Sequence, residues 1–196
     1  MSVTKLMSRI VAPKSIMIDN SPDSLHDHTY GITSDPLTQF ACAFFALIHD
    51  VDHSGLPNGE LIKQGNPLAA TYKNRSVAEQ NSLDLAWNLL MDSQFNNMRR
   101  AIYGTSNDEL RRFRQLVVNS VMATDIVDKD LKELLNGRWD RAFKEPQSSM
   151  ASHGDLVTTE NNRMAENRKA TIVIEHLIQA SDVSHTMQHW HIYRKW

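Results

Sequence analysis

Apolar residues in this 196-residue chain recur at three- and four-residue intervals wherever they gather, and alternating strand-like patterns are scarce. Leu37, Phe40, Ala41, Phe44, Phe45 and Ile48 form one such stripe, the spacing that lines up side chains on one face of a helix. Asp35-Pro36 stands before it, a capping residue followed by a proline suited to the first turn. The spacing predicts a helix that runs into His49. A second start lies at 74–76, where Ser76 and Glu79 match the serine-x-x-glutamate of a capping box. From there Leu83, Leu85, Ala86, Leu89, Leu90 and Phe95 carry a broad apolar stripe on toward Ile102 as one long helix.

Gly104-Thr105-Ser106-Asn107 interrupts the pattern. Ser106 or Asn107 can cap a helix from Asp108 to about Thr124 that buries Leu110, Phe113, Leu116, Val117 and Val121. Asp128 to Phe143 reads as a shorter amphipathic segment that ends before Pro146. Between Glu145 and Glu160 the composition turns to Pro, Gln, Ser, Gly, His and Thr, which predicts a flexible loop. Helical periodicity resumes near Asn162 and passes through Ile172, Ile174, Leu177, Ile178 and Ala180 to Asp182. No internal repeat is visible. The expectation is a compact, all-α, multi-helix domain over residues 1–196.

Composition narrows the functional classes. Forty-one per cent hydrophobic and 22% charged residues make a globular balance, enough for a sizeable core. The longest apolar run, Phe40 to Ile48, is too short to cross a bilayer, and the amino terminus lacks the features of a secretory signal. No direct membrane insertion is expected, and a cytoplasmic location is. Cys42, the single cysteine, lies within that run and reads as a buried small hydrophobe rather than a nucleophile. A net charge of −2 offers no positive field for a polynucleotide, so no nucleic acid partner is expected.

One stretch carries chemistry. In FALIHDVDHSGLPN, Phe45 to Asn58, four ionisable side chains follow the apolar run with no Lys or Arg among them. His49 and His53 are four apart and share a face if the helix continues, while Asp50 points elsewhere on a straight helix. The helix end must bend for His49 and Asp50 to meet at one centre. A divalent ion is one solution, because imidazole nitrogen and carboxylate oxygen suit zinc or a harder cation, which offsets the cost of burying the charge. A capped helix end followed by a Gly55-Leu56-Pro57 turn is another. A two-residue motif by itself favours the second.

Four separated strings alter that balance: HDVDHSGLPN (49–58), YKNRSVAEQN (72–81), ATD (123–125) and SDVSHTMQHW (181–190). Together they resemble the catalytic domain of class I 3′,5′-cyclic nucleotide phosphodiesterases, a helical domain in which HD-x-x-H-x-G-x-x-N, S-V-x-E-N, A-T-D and D-[LIV]-S segments converge. The resemblance extends over nearly all of residues 1–196. It implies metal-dependent hydrolysis of cyclic AMP or cyclic GMP to the nucleoside 5′-monophosphate in signal transduction. It also implies two divalent ions, zinc together with magnesium or manganese.

His49, Asp50 and Asp182 match the family's metal ligands, with Asp50 bridging the two ions. His53, Glu79 and Thr124 match groups that hydrogen-bond the water around them. His185 stands near the family's base pocket, where a histidine resembles the calcium/calmodulin-regulated, dual-substrate branch. Taken alone, Glu79 reads as a capping acid, Thr124 as a helix-end hydroxyl and Asp182 as a helix-end aspartate.

The chain also departs from the pattern. The family's H-N-x-x-H string, which supplies the general acid and a further ligand, precedes the segment that MSVTKLMSRI resembles and is not found here. E-N-H-H is replaced by Glu79-Gln80-Asn81-Ser82. The family's purine-binding glutamine lies beyond the region matched by Trp196. The expectation is therefore a catalytic domain truncated at both ends. A catalytically inactive helical scaffold is the alternative, with association with, or fusion to, a cyclase or regulatory domain as a further expectation.

Overall fold

The computed structural model describes residues 26, 29–144, 155–184 and 190–194, and all regular structure among them is helical. A 3-10 turn, Ile32–Ser34, leads into α1, Pro36–Ile48. α2 (Asn58–Lys63), α3 (Pro67–Thr71), α4 (Val77–Met91), α5 (Asn96–Tyr103), α6 (Asn107–Met122), α7 (Lys129–Phe143), α8 (Asp155–Val183) and the short α9 (Trp190–Tyr193) follow.

α1 forms as its sequence predicts. Asp35 caps it, accepting the Leu37 N–H at 3.2 Å, and Pro36 occupies the first turn. The same carboxylate takes hydrogen bonds from Thr38 and from Arg112 of α6. The cap thus also fastens α1 to α6, its most extensive packing partner. Between them Phe45, Phe113, Val117 and Val121 are sealed from solvent, joined by Ile174 and Ile178 of α8. Phe113 is the hub, with the rings of Phe40, Phe44, Trp87 and Tyr103 at centroid distances of 5.6–6.3 Å, the range in which tilted aromatic pairs attract. A smaller cluster, Leu61, Ala69 and Val77, holds α2 and α3 against the start of α4.

Ser106 caps α6 by accepting the Glu109 N–H, and Asp128 caps α7 by accepting that of Leu131, so both starts fall where the sequence predicts. Three expectations are corrected. The single helix expected to reach Ile102 stops at Met91. Asp92 is extended there, its carboxylate accepts the Gln94 N–H at 2.9 Å and starts a 3-10 turn, Ser93–Phe95. Arg99 Nη1 then donates to the carbonyls of Leu90 and Asp92, both at 2.7 Å, satisfying acceptors that the break would strand.

The capping box at Ser76 does not form either. Ser76 is left-handed (φ 37°, ψ 52°) and its side chain makes no cap bond. Finally, α8 begins at Asp155, inside the expected flexible segment 145–160. Residues 145–154 of that segment lie outside the described residues.

Candidate functional site

α1 ends where the apolar stripe ends. His49, the residue after Ile48, donates its N–H to the Phe45 carbonyl at 3.0 Å. Two tight bonds follow, Val51 N–H to Ile48 O at 3.0 Å and His53 N–H to Asp50 O at 3.1 Å, and Asp52 adopts φ 61°. Aspartate tolerates this left-handed conformation better than most side chains. The reversal is pinned to α4: Asn81 Nδ2 donates to Asp52 Oδ2 at 3.1 Å, and the Ser82 hydroxyl donates to the Val51 carbonyl at 2.7 Å. Asn81 and Ser82 stand in the string where the phosphodiesterase pattern departs to histidine, and here they hold this loop.

This bend solves the geometric problem of the His49-Asp50 pair. His49 Nε2 lies 3.3 Å from Asp50 Oδ2 and 3.4 Å from Asp182 Oδ1. One ligand atom from each residue falls within 4.8 Å of the other two. Asp182 arrives from the last turn of α8, whose position is fixed by the Gln179 carboxamide donating to the Ala123 carbonyl at 2.6 Å.

The imidazole is buried, Asp182 is half-buried and Asp50 is largely exposed. The His49 Nδ1–H donates to the Ala46 carbonyl at 3.0 Å, which leaves the Nε2 lone pair facing the two acids. Burial works against a charge on this ring, but the neighbouring Asp182 and Asp50 carboxylates and the Ala46 carbonyl outweigh it and raise its pKa.

A buried Nε2 with no hydrogen-bond partner, flanked by two carboxylates, is a donor set that suits zinc or a harder dication. The Nδ1–carbonyl bond is the kind of support that fixes a ligand's tautomer and orientation. His49, Asp50 and Asp182 therefore fit a metal ion. They form the one such group of three among the described residues.

A second polar group centres on Asn58, at the end of the HDVDHSGLPN string. Its Oδ1 accepts the Ala78 N–H at 2.9 Å, while Nδ2 donates to Glu79 Oε2 at 2.9 Å and to Asp125 Oδ2 at 3.2 Å. Asn58, the first residue of α2, thus caps α4 from a distant part of the chain and supplies what Ser76 does not. Asp125 is buried and also accepts the backbone N–H groups of Val127 and Asp128, each at 3.2 Å. The Glu79 pKa is raised, chiefly by burial, with Asp125 adding to the effect and Asn58 and His53 opposing it.

The remaining expected site residues divide. His53 is exposed, and its Nδ1 accepts the Gly55 N–H at 3.0 Å. The Thr124 hydroxyl turns back onto the Val121 carbonyl at 2.7 Å. His185 lies outside the described residues. Asn58 and Asp125 are the members of the polar group that sequence reasoning did not single out, although both sit within the quoted strings. The signal was available in the N of HDVDHSGLPN and the D of ATD.

Known proteins resemble this chain in sequence and in fold. The chain is 30% identical over 159 residues to the human dual specificity calcium/calmodulin-dependent 3′,5′-cyclic nucleotide phosphodiesterase 1C, covering 80% of this chain and 19% of the relative. It is 29% identical over 181 residues to the human high affinity cAMP-specific and IBMX-insensitive 3′,5′-cyclic phosphodiesterase 8A, covering 84% and 20%. It spans about a fifth of the length of these curated relatives. The phosphodiesterase domain of the Salpingoeca rosetta rhodopsin phosphodiesterase superimposes with a TM-score of 0.58 at 21% identity, over 99% of this chain and 55% of that one; this likeness establishes the fold. The sequence model of the 3′5′-cyclic nucleotide phosphodiesterases matches residues 15–196, and the chain belongs to that family.

Proposed function

We propose that this chain carries the hydrolytic core of a 3′,5′-cyclic nucleotide phosphodiesterase that opens cyclic AMP or cyclic GMP to the nucleoside 5′-monophosphate. The observation that carries the reading is the meeting of His49, Asp50 and Asp182 from distant parts of the sequence around one buried imidazole nitrogen. These three would hold a zinc ion, with the exposed Asp50 also turned to a magnesium or manganese ion. When bound, such ions lower the pKa of water and neutralise the charge that gathers on the phosphoryl group.

The reaction adds water across the P–O3′ bond: a P–O bond forms to the water oxygen, P–O3′ breaks, and a proton ends on O3′. Glu79, held at one oxygen by Asn58 and with a raised pKa, would take a proton from that water. His53 opposes the rise in the Glu79 pKa, and Thr124 would steady the water at the end of α6. His185 would contact the base.

No helix among the described residues is long and apolar enough to cross a membrane.

The test is turnover of cyclic AMP and cyclic GMP by the purified chain with zinc and magnesium, alongside metal analysis. Formation of 5′-monophosphate that disappears in His49→Ala supports the reading. Metal bound by the wild type without turnover of either nucleotide would instead favour a catalytically inactive binding domain. That alternative gains from Asn81 and Ser82, which spend their side chains on the 49–58 loop.

A further inference from the structure

Away from the His49 group, α6, α7 and α8 enclose a cleft whose walls are unusually cationic for a chain of net charge −2. A cavity of about 510 Å³ is lined by Arg111, Arg112, Arg138 and Arg168. A neighbouring cavity of about 400 Å³ shares Arg138 and Arg168 and adds Arg141 and Lys169. Asp108 is the one acid among the described residues that line either cavity.

Other acids meet these cations without lining the cleft. Asp35 and Glu109 bond Arg112, and Glu175 bonds Arg138 Nη1 at 2.9 Å. Each takes part of a guanidinium that carries five N–H donors, which fixes the side chain and leaves donors for a ligand. Asp108 engages Arg111 through Nη2 at 2.5 Å. Lys169 is held over the Phe143 ring at 5.8 Å. The cleft also offers neutral donors, including Gln115, Asn119 and Asn167. Planar guanidinium groups held in place match phosphate oxygens two at a time, and cavities of a few hundred Å³ are the size of small-molecule sites.

We propose that this cleft binds a small oligophosphate, the class that includes inorganic pyrophosphate and nucleoside di- and triphosphates. One phosphate would lie in each cavity, and Arg138 and Arg168 would stand between them. The site is separate in residues from the candidate metal centre and does not depend on hydrolysis of a cyclic nucleotide.

Calorimetric titration of the whole chain with pyrophosphate and with ADP, in EDTA to keep metal-bound phosphate out of the reading, tests this. The expected result is saturable binding of one ligand per chain at 0.15 M salt, roughly the physiological value. Arg168→Glu and Arg141→Glu are both exposed helix positions. Each is expected to weaken binding by about tenfold or more, while Arg100→Glu on α5, outside the cleft, leaves it unchanged. Circular dichroism of each variant checks that the helices persist. Tighter binding of ADP than of pyrophosphate would indicate a nucleotide ligand, and equal binding a free oligophosphate. Absence of saturation at this salt, or equal weakening by Arg100→Glu, would overturn the proposal.

Discussion

His49 Nε2 lies 3.4 Å from Asp182 Oδ1, a pairing made by the end of the first helix and the end of the long eighth. Removing Asp182, which is half-exposed, should dismantle the candidate metal centre without dismantling the fold. Loss of even a supporting hydrogen bond to a ligand costs roughly 10–100-fold in affinity. His49→Ala or Asp182→Asn should therefore lower zinc affinity by at least about 100-fold, measured by competition with a chromogenic chelator. Unchanged affinity in both variants would place the ion elsewhere.

Asn58 ties three things together: the Ala78 N–H at the start of α4, Glu79 and Asp125. Asn58→Ala strands a helix donor and two acids at once. It should cost about 1–3 kcal/mol in chemical denaturation. Asn58→Asp keeps the cap acceptor but sets a third carboxylate beside Glu79 and Asp125, so it should cost at least as much as the alanine. A more stable aspartate variant would show that the two acids do not share this contact.

How far the sequence anticipated this site depends on which contacts are local. Asp35, Ser106 and Asp128 cap the helices that directly follow them, and each was visible as a start signal because the partners are two or three residues away. Ser76 carried the same signal and failed, because Asn58 reaches α4 from the start of α2, and nothing in a local window records that. The break at Asp92 was masked by an apolar stripe that continues through Phe95 to Ile102. The adjacency of His49 and Asp50 argued against a shared centre on a straight helix; the left-handed Asp52 and its tie to Asn81 are tertiary facts, so the site was legible only through the order of its four strings.

Phe113 is fully buried among four aromatic neighbours. Phe113→Ala should cost about 3–5 kcal/mol, whereas Phe113→Leu, which keeps most of the volume, should cost less. Thermal unfolding of the two variants checks the order. Equal losses would mean that the ring geometry, rather than the space it fills, holds the hub.

Glu175 is 1% exposed, with Oε1 bonded to Arg138 and Oε2 buried without a partner. Burial raises its pKa above the usual carboxylate value, and Arg138 only partly opposes this. The folded chain therefore keeps a proton that the unfolded chain releases, so this residue's contribution favours the fold at the acid end and declines as pH rises through the raised value. Glu175→Gln should flatten that part of the profile, read as the difference in urea midpoint between the proteins from about pH 4 to 7. A wild-type midpoint that rises with pH relative to the variant would contradict the assignment.

The bond from His49 Nδ1 to the Ala46 carbonyl has a kinetic corollary. The ring is already turned and its free lone pair already aimed, so an arriving cation would meet a finished mouth instead of a chain that has to rearrange around it. Loading should then proceed at a pace governed by how fast the ion sheds its hydration shell, and should leave the helical spectrum of the protein almost untouched.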